Sequence, residues 1–514
     1  MRLTYSRLRC IVSAAGLALL PGLASGMPEQ TTVPAPISAS TALSTAPATP
    51  DLNLPKLGLA GGGALPLWKA QFIGREIYYA IQGEDGVLND PLIADYTDHL
   101  GHRLSSVADG PDEPFHYFVI NDPDVNAFAL PGAFIAVYSG LILATRSEDE
   151  LAGVLAHETA HVVQRHIARQ MDDSRYNDLI DIGILLGAIA IAVAAPDAAA
   201  GALMGAQGGI IQRQINYTRT DEMEADRVGI GILAQANFNP EGMVAFFQYM
   251  QQQYALQGVQ IPEFLSSHPL DITRITEAQM RAKNLHVKPT PENPNYALMR
   301  ARIRVLLSDD LARTLNFFRT REKMLENPWY RIAAVYGTVL CLNRMDEGKQ
   351  ALALIGPIAQ AHSDNVALQL ADAESLLAAG DTKAGLAALA DDNTLYPSNP
   401  AVIMAYARAL LNANRPKETL ALLAPGLQDA ANLLNPDYYR LLASAAAKTG
   451  DDALAYLAMA YHFEGRGQYK AAIIQLRLGL DVANLSPARR EQMEKMKKKL
   501  KADYKMAKNI GIFD

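Results

Sequence analysis

The pentapeptide His157-Glu158-Thr159-Ala160-His161 restricts the fold more than any other stretch of the chain. Histidines four residues apart sit one turn apart on a single helix face, where two imidazoles can reach one ion. In a strand the same pair would lie about 13 Å apart. Ser147 and Glu150 form an S-x-x-E helix-start signature ahead of Leu151, Val154 and Leu155, which predicts a helix from near residue 148. Two unliganded imidazoles inside so apolar a helix would be costly, so metal ligation is their expected use. Glu158, beside the first of them, is placed to take a proton from a metal-activated water and return it to a leaving group.

Composition narrows the rest. Hydrophobic residues make up 49% and charged residues 19% of 514 residues, a globular balance that is too long for one ordinary core. Aromatics are only 7% while Ala and Leu abound, so a largely helical protein is expected. The net charge of -8 gives no basic excess, and nucleic acid is excluded as a partner class. Arg2, Arg7 and Arg9, an apolar stretch to about residue 23 and the small residues Ala24, Ser25 and Gly26 read as a signal peptide over residues 1–26, with a retained anchor as the alternative. Its removal takes three arginines, leaving -8 - 3 = -11, and takes Cys10, which lacks the approach of a lipidation site. Cys341 then stands alone and no internal disulfide is expected.

Residues 27–65, rich in Pro, Ser, Thr, Ala and Gly, read as a flexible linker. A first domain is expected over 66–285. In it a helical stretch at 88–107 precedes an apolar run from Phe115 to Ile120, a turn at 121–124, and a strand pair from Asn126 to Tyr138 broken at Pro131 and Gly132. Residues 179–209 are nearly all apolar or small, marginal for a membrane span, and read as a buried or membrane-grazing helical hairpin. After a connecting helical segment at 286–325 the chain repeats over 326–505. Pro328, Pro400 and Pro436, each after Asn, differ by 72 and 36, and Asp364-Asn365 fills the missing register. Helix breaks recur at Asn343-Arg344, Gly380-Asp381, Asn414-Arg415 and Gly450-Asp451, and Gly467 to Ala472 reads as a turn and second-helix start. Two-helix units of this length stack as tetratricopeptide repeats. The basic tail from Lys495 to Lys508 reads as a solvated final helix.

A catalytic zinc takes a third protein ligand and leaves one place for water. A third histidine six residues beyond His161 is missing, since residue 167 is Ile; His166 is at the wrong offset and reads as capping or packing. A glutamate on a later helix is the other route, and residues 221–226 supply Glu222 and Glu224. H-E-x-x-H followed by E-x-x-A-D, together with the Asn-Ala-Phe-Ala-Leu-Pro-Gly segment and the domain order, resembles the gluzincin peptidases related to HtpX and the CAAX prenyl proteases. With its signal peptide and repeats, the chain is similar to the periplasmic members of that family over about residues 67–505.

That resemblance implies a mainly α protein: an α+β zincin-type metallopeptidase domain with a small sheet, followed by an α-solenoid of tetratricopeptide repeats. It implies one Zn2+ per chain held by His157, His161 and Glu222, with Glu224 as the rival ligand, Glu158 as the general base, and Asp226 as the acceptor behind a ligand histidine. Phe134 to Tyr138 resembles the edge strand on which these peptidases lay out substrate, with Ala133 where a second glycine is common. His268, in Ser266-Ser267-His268-Pro269-Leu270, resembles a regulatory switch that reaches the zinc; an oxyanion donor and a plain turn histidine stay open beside it. Arg274 is either an oxyanion or carboxylate partner or a surface ion pair. The implied activity is zinc-dependent endoproteolysis in the periplasm with chaperone-like quality control of outer-membrane β-barrel proteins. The implied partners are unfolded or stalled outer-membrane proteins, the barrel-assembly machinery through the repeats, and peripheral membrane contact. A non-proteolytic repeat scaffold and a membrane-integrated peptidase are the rivals.

Overall fold

The computed structural model describes residues 65–110, 114–173, 218–257, 263–429 and 434–510. The expectations for residues 1–64, including the signal peptide and most of the linker, and for the apolar stretch 179–209 lie outside the described residues. The protein is mainly helical with one small sheet. Helix α1 (Leu67–Gly83) and α2 (Pro91–Ser105) precede three short strands, β1 (His116–Ile120), β2 (Ala127–Leu130) and β3 (Phe134–Tyr138). Then come α3 (Ser139–Ala144), α4 (Glu148–Val163), α5 (His166–Asp173), α6 (Arg219–Gln235), α7 (Glu241–Gln257), α8 (Glu263–Ser267) and α9 (Ile272–Asn284).

The strand order is β1-β3-β2. β2 and β3 form an antiparallel hairpin with Leu130 opposite Phe134, while β1 pairs with β3 in parallel, His116 opposite Phe134. The strand expected at the edge is therefore the central one. Phe134 to Tyr138 are buried throughout, and β2 is the edge against which α4 packs. The hairpin turn puts two consecutive residues in the left-handed region, Gly132 at φ 75 and Ala133 at φ 62. Gly132 has no alternative there: a Cβ would lie 2.4 Å from the Gln71 Cα. Ala133 adopts the same region in spite of its Cβ.

Helix α4 starts as predicted. The Ser147 hydroxyl accepts from the Glu150 amide at 3.3 Å, but the Glu150 carboxylate reaches back one residue further than expected, to the Arg146 amide at 2.7 Å and the Arg146 guanidinium. Thr218 and Asp221 close a full capping box at the start of α6.

From residue 294 the chain runs as consecutive helical hairpins. Asn293, Asn327, Asn399 and Asn435 each cap a helix whose first residue is proline, and Asn365 caps another. Asn327-Pro328 follows Asn293-Pro294 by 34 residues, so the repeat spacing runs into the segment expected as a connector. Left-handed residues at Asp346, Gly380, Asn414 and Gly450, spaced by 34, 34 and 36, make the breaks. Asp and Asn share that region with glycine because their short side chains bond locally. The array folds back onto the first helices. The Tyr78 hydroxyl donates to the Leu434 carbonyl, Arg466 donates to the Gly83 carbonyl at 2.8 Å, and the Tyr469 hydroxyl donates to Glu76. Arg302 grips Asp90 through two bonds of 2.8 Å. Cys341 is buried and free. The final helix, Pro487–Asn509, pairs Lys495, Lys497 and Lys499 with nearby acids. Among the described residues no helix is long and apolar enough to cross a membrane.

Candidate active site

α4, α6 and the segment between α8 and α9 bring four side chains together. His157 and His161 point from one face of α4, with their Nε2 atoms 3.0 Å apart. Glu222, in the first turn of α6, places Oε2 3.6 Å from the first and Oε1 3.5 Å from the second. His268 Nδ1 completes the group, 3.3 Å from His157 Nε2 and 3.0 Å from Glu222 Oε1. All four residues are buried, and the cluster could hold a metal ion.

The donor set fits zinc. Four ligands at the usual zinc bond lengths stand about 3.3–3.5 Å from one another, close to the separations seen here. The electrostatics point the same way. Burial opposes charge on His157, but Asp226 and Glu222 outweigh it and raise its pKa to about 10. Burial also works against the charge on Glu222, yet His268 and His157 hold it well below the usual carboxylate range. Burial pushes His161 well below the usual histidine value. The centre of the cluster thus favours a positive charge, which a proton or a metal cation can supply.

Glu158 is fully buried beside this group, and neither oxygen makes a well-formed hydrogen bond among the described residues. The Ala129 amide lies close to it, and His268 Nε2 stands 3.5 Å from Oε1. Burial raises the Glu158 pKa, with His268 and His157 working against the rise.

Asp226, one turn after Glu222, stands 3.0 Å from His157 Nδ1. Sequence reasoning left Arg274 open between a site role and the surface; here it is 1% exposed. Its Nε and Nη2 donate to the two Asp226 oxygens at 2.8 Å, and Nη1 donates to the Pro269 carbonyl at 2.8 Å and lies 2.7 Å from Glu222 Oε2. Glu224 faces away from the four-residue cluster, towards His166 and Arg169. His166, read from sequence as capping or packing, contacts His161 through their Nδ1 atoms at 2.7 Å. The only sequence signal for Arg274 and His166 was their closeness to the motifs; what fixes their contacts is burial against α6 and α4.

Residues 91–282 match peptidase family M48. The "Putative beta-barrel assembly-enhancing protease" of Vibrio cholerae is 32% identical over 315 residues, 61% of this chain and 65% of that protein. The "Beta-barrel assembly-enhancing protease" of Escherichia coli O157:H7 is 30% identical over 500 residues, 91% of this chain and 97% of that protein. The "Mitochondrial metalloendopeptidase OMA1" of Schizosaccharomyces pombe is 41% identical over 80 residues, 16% of this chain and 24% of that protein. The chain therefore spans nearly all of the Escherichia coli relative and just under two thirds of the Vibrio one.

Proposed function

The chain belongs to the family of the beta-barrel assembly-enhancing proteases, within the M48 metallopeptidases, and from that membership we propose that it is a periplasmic zinc endopeptidase acting on outer-membrane β-barrel proteins. It is a metalloendopeptidase; the metal, the residue roles, the compartment and the substrates are our reading. The observation that carries it is the convergence of His157 Nε2, His161 Nε2 and Glu222 within 3.6 Å of one another, with the fully buried Glu158 carboxylate alongside.

His157, His161 and Glu222 would hold the zinc. When bound, zinc supplies a Lewis acid that polarises the scissile carbonyl and makes water acidic enough to lose a proton near neutral pH. Glu158 takes that proton and delivers it to the leaving amine. Asp226 holds His157 in the tautomer that leaves Nε2 free, and Arg274 holds Asp226. β2 orders the substrate. The Tyr138 amide donates to the Asn126 carbonyl, so alternate residues 126, 128 and 130 face β3 and the backbone of Ala127 and Ala129 turns outwards. An extended peptide pairs with that edge, as an unpaired strand of an unfolded barrel would. A small apolar cleft beside it, lined by Leu65, Leu130, His161 and Ile167, takes a side chain of that peptide.

His268 Nδ1 occupies the corner of the cluster that water and substrate need, so we read it as a switch that closes the site until a partner or substrate draws it away. The helical repeats are the docking surface for stalled barrel proteins and for the barrel-assembly machinery. Chaperone-like assistance without cleavage, and peripheral membrane contact, follow from the same docking.

The test is elemental mass spectrometry of the purified mature protein beside His157→Ala and Glu222→Ala. About one zinc per chain, lost in both variants, is the expected outcome. A folded wild-type protein without zinc sinks the mechanism and makes a repeat scaffold the leading account. His268→Ala should raise cleavage of an unfolded substrate, whereas Glu158→Gln should abolish it and keep the zinc.

A further inference from the structure

The two metal-facing imidazoles of α4 are backed differently. Behind His157 stands a carboxylate, Asp226, held by an arginine. Behind His161 stands another imidazole. His166 is fully buried at the start of α5, with Nδ1 2.7 Å from His161 Nδ1 and Nε2 3.2 Å from Glu224 Oε2. Arg169 Nη2 lies 2.6 Å from the same Glu224 oxygen and 3.3 Å from Asp221 Oδ1.

Two ring nitrogens at 2.7 Å share one hydrogen: one donates and the other accepts. The far end of the chain decides which. An arginine-paired carboxylate only accepts, so His166 carries its hydrogen on Nε2 and presents a lone pair at Nδ1. His161 must then carry its hydrogen on Nδ1, which leaves the Nε2 lone pair facing His157 and Glu222. The opposite arrangement would put a hydrogen on His161 Nε2, in the place a cation needs.

We propose that His166, oriented by Glu224 and Arg169, is a positioning residue that fixes the tautomer of His161 and so strengthens metal binding at the site. This rests on the zinc reading above. Backing for each imidazole thus ends in an arginine-held carboxylate, directly through Asp226 on one side and relayed through His166 on the other. The His166, Asp221 and Glu224 group is not itself a second cation site, because the Arg169 guanidinium already lies where a cation would bind.

The experiment measures zinc affinity of the full mature chain by competition with a chelator of known affinity. It compares wild type, His166→Ala, His166→Asn and Glu224→Ala, with the melting temperature of each chelated protein as a control on folding. His166→Ala should weaken zinc binding by about 10- to 100-fold. His166→Asn should recover much of the loss, because its carbonyl can accept from His161 Nδ1. Glu224→Ala should weaken binding several-fold by freeing the His166 tautomer. A His166→Ala protein that binds zinc within about twofold of wild type overturns the proposal, as does a His166→Asn protein no better than His166→Ala. If His166→Ala fails to fold, unchanged affinity in Glu224→Ala and Arg169→Ala overturns it. Failure of the zinc reading looks different: wild type itself then binds no zinc.

Discussion

Replacing Arg274 by Met removes a buried guanidinium that faces both Asp226 and Glu222. Two hydrogen bonds of 2.8 Å to Asp226, one of 2.8 Å to the Pro269 carbonyl and the 2.7 Å approach to Glu222 go together. Methionine fills much the same volume, so little of the effect comes from a cavity. What remains is an Asp226 carboxylate that keeps His157 but has lost both guanidinium hydrogen bonds, at a site where the arginine was 1% exposed. Breaking a buried pair from one side costs about 3–5 kcal/mol. At about 2 °C per kcal/mol for a chain of this size, the melting temperature should fall by roughly 6–10 °C. The assay is thermal melting of the chelated protein, in the Glu158→Gln background proposed above to abolish cleavage. Asp226→Asn and the double variant complete a cycle. The two single losses should exceed the double loss by more than about 1.5 kcal/mol, because each single change strands a buried partner. Arg274→Met losing less than about 1 kcal/mol, or additive behaviour in the cycle, would refute the pairing as the source of the stability. Added zinc should narrow the gap between Arg274→Met and wild type, since a bound cation takes over part of the compensation for Glu222.

Other perturbations test separate parts of the fold. Ala133→Gly relieves a left-handed residue at φ 62 and should raise stability by about 0.5–1 kcal/mol, measured by urea denaturation, after the entropy cost of glycine is subtracted. Tyr469→Phe removes a hydroxyl that donates to the fully buried Glu76 carboxylate and should cost about 1.5–3 kcal/mol, with faster proteolytic nicking near the C-terminal hairpins. Burial, then Asp391 and Asp372, raise the Asp392 carboxyl to about 6, and among the described residues its Oδ2 has no hydrogen-bond partner. A raised folded pKa means the native state holds a proton that the unfolded chain releases, so stability falls as pH climbs from about 4 through about 6. Asp392→Asn should therefore gain about 1 kcal/mol at pH 7.5, discounted for partial solvation, and gain nothing at pH 4.

What could be read from the sequence was local. The helix carrying His157 and His161 is announced by its cap and by a spacing that only a helix makes useful. The repeat breaks were legible because the left-handed turn recurs as Gly380, Asn414 and Gly450, residues that tolerate it. The edge strand was misjudged because sheet order is not local. Phe134 to Tyr138 looked like one arm of a hairpin with a free side, and nothing in the hairpin says that β1 pairs with it in parallel and covers that side. Arg274 stays open in the sequence between an oxyanion or carboxylate partner and a surface ion pair, and His166 reads as capping or packing, for the same reason: their partners are 48 and 58 residues away, on α6. The first turn of the repeat array at Asn293-Pro294 carried the same signature as its successors and was legible, but stood outside the register counted from Pro328.

Positioning at the site depends on small residues as much as on the charged ones. Glu222, Asp226 and Gly229 fall at spacings of four and three, on one face of α6. That face is pressed against α4: a Cβ on Gly229 would stand 3.1 Å from the Ala156 carbonyl, one residue before His157, and 2.9 Å from the Met243 Cε. On α4 itself a Cβ at Gly153 is simply the missing atom that lets Met243 of α7 approach, since it would meet the Met243 Cα at 2.7 Å. The three helices are therefore seated by backbone contact one and two turns away from the clustered histidines and Glu222, in an interior too dense to yield by a fraction of an ångström. Charge alone would draw Glu222 towards the histidines but would not fix its distance, because a glutamate has three rotatable bonds. Backbone contact at Gly229 sets where α6 lies, Arg274 and His268 hold the carboxylate from either side, and the two histidines then meet an oxygen at the separations a metal requires.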